Sequence, residues 1–336
     1  MGYEARQAGY AMELEDYFRA QLVDGYAERS NALWRRDYSS EAAYLESVSN
    51  RREAWRQLLA PPELSAQGEA QVKESLIHDG RWITVPLDEH LTAQGALVVP
   101  DGATKLVVFV HGLGSTPERV FGVDDERGTY DAVGRKLVDA GYAVLAPMNL
   151  IGIPARNRAQ QLCRLAGTTM EGLEFARFQC LLQATWQLAP ELDQTGYALT
   201  GMSWGGLATQ YWAPLDERVV VAGSLGFFND RCNKMVVQDT RYGTFYDTGE
   251  EHAFIPGLLQ GFGDADLASL ICPRPFYVSH GRADMIGWWP QIVDEFERAR
   301  AHWDALGCAG STELHMHDSG HVVEAESLVR WLSVHY

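Results

Sequence analysis

The sequence predicts an α/β fold: a mostly parallel sheet of about eight strands with helices on both faces, preceded by a helical N-terminal segment. Three observations carry this reading. Residues 1–62 hold apolar side chains at helical spacing and no strand-like run. From residue 69 onward, short β-branched runs alternate with helical stretches, the signature of repeated strand-helix units. The later runs, Leu106-Val107-Val108-Phe109-Val110 above all, are apolar throughout, as expected of a strand buried on both faces of a parallel sheet.

In the N-terminal segment, Met12, Leu14, Tyr17, Phe18 and Leu22 mark one helix, and Tyr44, Leu45, Val48, Trp55, Leu58 and Leu59 a second. The second is expected to start at Ser39 or Ser40 with Glu41 in its first turn, and to stop before Pro61-Pro62, because proline cannot continue a helix. Residues 61–68 are therefore the expected boundary between the helical segment 1–62 and an α/β domain spanning 69–336. Strands are expected at 81–87, 96–99, 106–110, 143–146, 197–200, 219–222, 276–279 and 313–317. Helices are expected at 131–140, 170–188, 205–213, 290–305 and 322–333. Between Phe227 and Gly263 many aromatic residues occur without a clear period, which fits either a pocket wall or a long connection packed onto the core.

Composition narrows the function classes. The chain has 336 residues, 46% apolar and 22% charged, which excludes disordered and collagen-like classes. A formal net charge of -17 repels phosphate backbones and anionic lipid, so neither nucleic acid nor a membrane is an expected partner. The five cysteines are odd in number and form no Cys-x-x-Cys pair, so they are expected to be reduced and mostly buried. The first residues lack a charged stretch followed by an apolar one, so the expected location is cytoplasmic.

One motif carries chemistry. Gly201-Met202-Ser203-Trp204-Gly205 fits G-x-S-x-G between a strand candidate and a helix candidate, where small residues let a serine sit on a strained turn with its hydroxyl exposed. A serine is a poor nucleophile until a base removes its proton, so a histidine is required, oriented by a carboxylate. The loop after strand 276–279 supplies Asp284, and the loop after strand 313–317 supplies His321. Asp230, on the loop after the preceding strand, is the alternative acid. Oxyanion donors are expected from the N–H groups of Trp204 and of Leu113, in the glycine-rich turn His111-Gly112-Leu113-Gly114-Ser115. His111, Trp288 and Phe228 are candidate pocket residues.

Several other sites are not expected. His315 and His317 share one strand face but lack further ligands, so no metal site is expected. His252 and His302 are read as surface or structural. Gly112 and Gly114 depart from G-x-G-x-x-G because position 117 is proline, so no nucleotide, and no cofactor at all, is expected.

The chain resembles the α/β-hydrolase superfamily, in its dienelactone-hydrolase-like and acetyl-xylan-esterase-like branch, from about residue 50 onward. The resemblance rests on residues 51–56 followed by Pro61-Pro62, and on His111-Gly112, Gly201-Met202-Ser203-Trp204-Gly205-Gly206 and Leu215-Asp216-Glu217-Arg218. It continues through residues 255–259, Asp266-Leu267-Ala268, Pro273-Arg274-Pro275, Gly281-Arg282-Ala283-Asp284 and Gly320-His321. It implies metal-free hydrolysis of a carboxylic ester through an acyl-serine intermediate, often with acetyl as the acyl group on a carbohydrate. The alternative is a carbon-carbon bond, lactone or thioester hydrolase using the same three residues, and a third reading is a catalytically silent binding module on the same fold. The expected ligand is a small-molecule ester. The N-terminal aromatics Tyr10, Tyr17, Phe18, Tyr26 and Trp34 give area enough to cap the active-site mouth, support the back of the sheet or form a dimer interface, and a substrate-pocket or homodimer role is expected.

Overall fold

The structure, a computed structural model, describes residues 2–336, so Met1 of the expected N-terminal segment lies outside the described residues. Helix α1 (Tyr3–Arg19) runs through a π-helical turn at Ala20–Asp24 into α2 (Tyr26–Trp34). Helix α3 (Glu41–Leu59) starts where the serine cap places it: the Ser40 hydroxyl accepts a 3.1 Å bond from the Ala43 N–H, satisfying one of the first-turn donors. It ends where Ala60 turns left-handed at φ 45° ahead of the proline pair. Tyr44, Val48, Trp55 and Leu59, spaced four, seven and four apart, form its buried stripe.

The sheet has nine strands rather than about eight. The unforeseen one is β1 (Gln71–Glu74), whose four residues are all exposed, so no hydrophobic alternation announced it. It is followed by β2 (Arg81–Pro86), β3 (Thr92–Val98) and β4 (Leu106–Val110). The short α4 (Pro117–Val120) and α5 (Val133–Asp139) lead to β5 (Ala143–Pro147), and α6 (Ile153–Leu165) and α7 (Met170–Leu188) to β6 (Tyr197–Met202). Then come α8 (Trp204–Trp212), β7 (Val219–Leu225), α9 (Arg231–Val236), α10 (Phe245–Thr248), α11 (Asp264–Ile271) and β8 (Phe276–Gly281). Helix α12 (Trp289–Ala305), β9 (Thr312–His317) and α13 (Ala325–His335) complete the chain.

The strand order is β1-β2-β3-β5-β4-β6-β7-β8-β9. The first three strands join antiparallel to one another and to β5, and from β5 to β9 every pairing is parallel. Parallel strands need crossover helices, which cover both faces. Alternation along β4 divides the core: Val107 and Phe109 pack with residues of α5 and α13, whereas Leu106, Val108 and Val110 pack on the face of α7, α8, α11 and α12.

Helices α2 and α3 share that second core. The Trp55 indole donates to the Tyr211 carbonyl (2.9 Å), Trp34 to the Gly261 carbonyl (2.8 Å), Tyr44 to the Ser269 carbonyl (2.7 Å) and Tyr26 to the Asp266 carboxylate (2.5 Å). These aromatic side chains bury apolar surface while each polar tip finds a backbone or carboxylate partner. Helix α1 differs, burying no side chain at all.

Candidate active site

Parallel topology gathers the loops at the carboxyl ends of β4, β6, β8 and β9 on one edge of the sheet. Ser203 lies at the end of β6, with φ 60° and ψ -122°, immediately before α8. A non-glycine residue in that conformation is strained, by about 1–3 kcal/mol. The neighbouring glycines explain how the turn closes: a Cβ on Gly205 would lie 1.9 Å from the Val110 carbonyl oxygen, and one on Gly201 2.4 Å from that of Gly205. The Ser203 N–H is tied to the Leu225 carbonyl at 2.7 Å, holding the turn against β7.

His321, in the loop after β9, donates from Nδ1 to Asp284 Oδ2 at 2.7 Å. Asp284 follows β8 and is buried, while the His321 side chain is partly exposed. Burial alone would raise the Asp284 carboxyl. The hydrogen bond and charge of His321, the nearby His280 and the Ile286 N–H outweigh it, holding the carboxyl below the usual aspartate range. Gly226, at φ 60°, lets β7 end close to the imidazole, since a Cβ there would approach His321 Cε1 to 3.2 Å.

The third component is the turn after β4. Gly112 donates its N–H to the Tyr130 hydroxyl (2.8 Å), and Gly114 donates its own to the Ile151 carbonyl (3.1 Å). The N–H groups on either side of Leu113 are thus engaged. A Cβ on Gly112 would lie 2.9 Å from Ser203 Cβ, so glycine is what brings this turn against Ser203. His111 braces the turn from behind: its Nδ1 donates to the Gly112 carbonyl (2.9 Å), and its Nε2 accepts from the Asn149 N–H (3.3 Å). Complete burial, aided by the Arg156 charge, lowers this imidazole to about 4, so it is neutral at pH 7.

Ser203, His321 and Leu113 line one cavity of about 520 Å³. Its outer wall comes from the loop between β4 and α5, with Arg119, Asp124, Glu126, Arg127, Thr129 and Tyr130. Sequence reasoning did not find this loop. The only signal within reach was its position after the glycine-rich turn, because its charged residues read as ordinary surface. At the start of α8, the Arg156 guanidinium lies 4.2 Å over the Trp204 ring and is held by Glu174 at 2.8 and 3.0 Å.

The remaining candidates fall elsewhere. Phe228 is fully buried against Phe276 and Phe296, a core residue rather than a pocket wall. Trp288 caps α12 with Arg241 3.6 Å over its ring, and His111 sits behind the turn; neither lines the cavity. Asp230 caps α9, accepting from the Asn233 N–H at 3.0 Å. His315 pairs with Glu324 at 2.6 Å, and both His317 nitrogens are buried without partners. No group of three or more metal-binding side chains assembles among the described residues. His252 and His302 are buried, beside Asn157 and Tyr38 respectively. Four of the five cysteines are buried, and all five are free thiols. No helix among the described residues is long and apolar enough to cross a membrane.

No family model matches the chain, and no curated protein sequence matches it. Solved structures do match. A Bacteroides fragilis protein assigned as an acetyl xylan esterase shares 12% identity and a TM-score of 0.69, over 92% of this chain and 93% of its own. A carbohydrate esterase family 15 glucuronoyl esterase from Caldicellulosiruptor kristjansonii shares 15% identity and a TM-score of 0.55, over 87% and 85%. Acetyl xylan esterase 1 from a Thermoanaerobacterium species shares 15% identity and a TM-score of 0.53, over 84% and 93%. With its nine-stranded, mostly parallel sheet and helices on both faces, the chain has the α/β-hydrolase fold.

Proposed function

We propose that the protein is a serine hydrolase of carboxylic esters, cleaving a small acyl group such as acetyl through an acyl-serine intermediate. One observation carries this reading: Ser203, on its strained turn, and His321, bonded to Asp284, open into the same cavity. The similar solved structures named as esterases support it.

In this mechanism the Ser203 hydroxyl oxygen attacks the ester carbonyl as His321 Nε2 takes its proton. Asp284 fixes the imidazole with Nδ1 protonated and stabilises the cation that forms. The oxyanion is held by the N–H groups of Trp204, at the start of α8, and of Leu113, whose neighbours' N–H groups are already engaged. The imidazolium returns the proton to the departing alcohol. Water then enters, deprotonated by His321, and releases the acid and Ser203. The charged and hydroxyl-bearing wall formed by Arg119, Asp124, Glu126, Arg127, Thr129 and Tyr130 favours a polar, hydrogen-bonding alcohol, such as a sugar, over a lipid chain.

The test is a series of para-nitrophenyl esters of rising acyl length, on wild type and Ser203→Ala, with phosphonate labelling of both. Turnover that peaks at acetyl and vanishes in Ser203→Ala supports the proposal. Labelling of Ser203 without ester turnover moves the assignment to a carbon-carbon bond, lactone or thioester. Absence of labelling removes hydrolysis altogether.

A further inference from the structure

Helix α1 is a seventeen-residue arm that buries none of its own side chains. Its base is anchored: Arg29 donates to the Gln21 carbonyl at 2.6 Å and to the Leu259 carbonyl at 2.8 Å. Beyond that base the arm carries large apolar groups in the open, with Tyr3 71%, Tyr10 65%, Leu14 59%, Tyr17 57% and Phe18 50% exposed. Isolated helices of this length are marginal in water, and helices in proteins owe most of their stability to a packed apolar face. Among the described residues this arm has no such packing.

The pattern on the arm is regular. Tyr3, Tyr10 and Tyr17 recur every seven residues, and the positions four residues after the first two are Gln7 and Leu14, the spacing of a two-helix coiled-coil seam with one polar position. Arg6 and Glu13 flank that seam at the equivalent position of successive heptads, each three residues after a Phe-sized or larger ring. We infer that α1 pairs antiparallel with α1 of a second copy of this chain, about a two-fold axis at Tyr10, forming a homodimer.

Charge sets the direction. In the antiparallel arrangement Arg6 of each helix faces Glu13 of the other, giving two opposite-charge contacts related by the axis. A parallel pair places Glu13 beside Phe18 and Arg6 beside Ala11, with no charge matched. In the antiparallel pair Tyr3 meets Tyr17 of the second copy and Leu14 packs beside Arg6, whose aliphatic stem covers the seam.

The area is of the right size. With about 150–250 Å² per aromatic side chain, the exposed parts of Tyr3, Tyr10, Leu14, Tyr17 and Phe18 sum to roughly 600 Å² per copy. A specific interface buries about 800 Å² per partner. The remainder comes from the stems of the polar side chains along and beside the seam, Arg6, Gln7 and Glu13 among them. The net negative charge of the arm, with Glu4, Glu13, Glu15 and Asp16 against Arg6 and Arg19, disfavours an anionic lipid surface as the alternative occupant.

Light scattering on the full chain tests this. Wild type is expected at twice the 37.4 kDa chain mass, and Leu14→Glu and Tyr10→Arg at the single-chain mass with unchanged melting and unchanged ester turnover. Arg6→Glu is expected to weaken the dimer at least tenfold, and Arg6→Glu combined with Glu13→Arg to restore it. Under mild oxidant Tyr10→Cys cross-links with itself, whereas Tyr3→Cys and Tyr17→Cys cross-link only when mixed. A monomeric wild type, whether or not it binds phosphatidylcholine vesicles, overturns the inference. So does a dimer that survives deletion of residues 2–19, or self-cross-linking at all three positions, which reports a parallel pair.

Discussion

The backbone N–H of Gly112 donates a 2.8 Å hydrogen bond to the hydroxyl of Tyr130, tying the turn beside Ser203 to the wall of the cavity that Ser203 opens into. Replacing Tyr130 with phenylalanine keeps the buried ring and removes the acceptor. An orphaned buried N–H costs about 1–3 kcal/mol, and the turn that presents Leu113 loses its tether. We expect Tyr130→Phe to lower kcat about tenfold or more with a smaller change in KM, because an oxyanion donor acts chiefly in the transition state. Steady-state kinetics check this, and an unchanged kcat separates Tyr130 from the geometry of the turn.

Ser203 combines the proposed nucleophile with a strained backbone. Ser203→Gly removes the hydroxyl and accepts φ 60° without a Cβ. The variant is expected to be inactive yet to unfold with a free energy about 1 kcal/mol higher than wild type, the net of relieved strain and the extra freedom of glycine in the unfolded chain. Calorimetry beside an activity assay reads both effects, and a less stable variant contradicts strain at this residue.

Asp284 and Asp230 are separable by substitution. Asp284→Asn is expected to cost about 10⁴ in kcat, because the amide no longer enforces the tautomer of His321. Asp230→Asn retains the capping oxygen of α9 and leaves kcat within about twofold, since helix caps accept either side chain. The Asp284 carboxyl is held below its ordinary value, so its stabilisation is complete above pH 3.8 and is lost as pH falls through the lowered value. An acid limb of activity near neutrality therefore does not arise from Asp284.

Glu171 carries the opposite sign. Burial pushes its carboxyl up to about 7, against the pull of Arg156, whose guanidinium is committed to Glu174 and lies 3.7 Å from Glu171. Between its ordinary 4.5 and about 7 the folded protein holds a proton that the unfolded chain has released. Stability from this group is therefore full at the acid end of that window and falls as pH rises through it, by up to about 3 kcal/mol. Denaturant unfolding of wild type and Glu171→Gln at pH 5 and pH 8 measures the difference, and the glutamine variant is expected to be the less pH-dependent of the two. Equal slopes contradict a protonated Glu171.

Legibility followed the physics of each element. The Gly-x-Ser-x-Gly turn was readable because its glycines are demanded by backbone approaches of 1.9 and 2.4 Å, a constraint that leaves a trace in residue identity. Helix α3 was readable from the cap at Ser40 and the spacing of its buried stripe. Asp284 and His321 were named from their order along the sheet, and the structure places them 2.7 Å apart. Strand β1 was hidden because it buries nothing, and α6 because what it buries is Arg156, Gln160 and Cys163, a set with little apolar period. Phe228 and Trp288 were misplaced because aromatic content near a catalytic loop does not say which way a ring points. Arg119, Arg127 and Tyr130 were missed because a cavity wall built of charged loop residues has the composition of any surface.

Tyr26 bonds Asp266 across 240 residues of chain, and Trp34, Tyr44 and Trp55 likewise dock on backbone that is made much later. At about 5–20 residues per second, these four side chains are made roughly 8 to 48 s before the groups they bond, which lie 156 to 240 residues later. Throughout that interval their aromatic rings face the cell uncovered. Translation thus delivers the docking helices before the surface that receives them, and α2 and α3 wait for the rest of the chain before they have a place to pack.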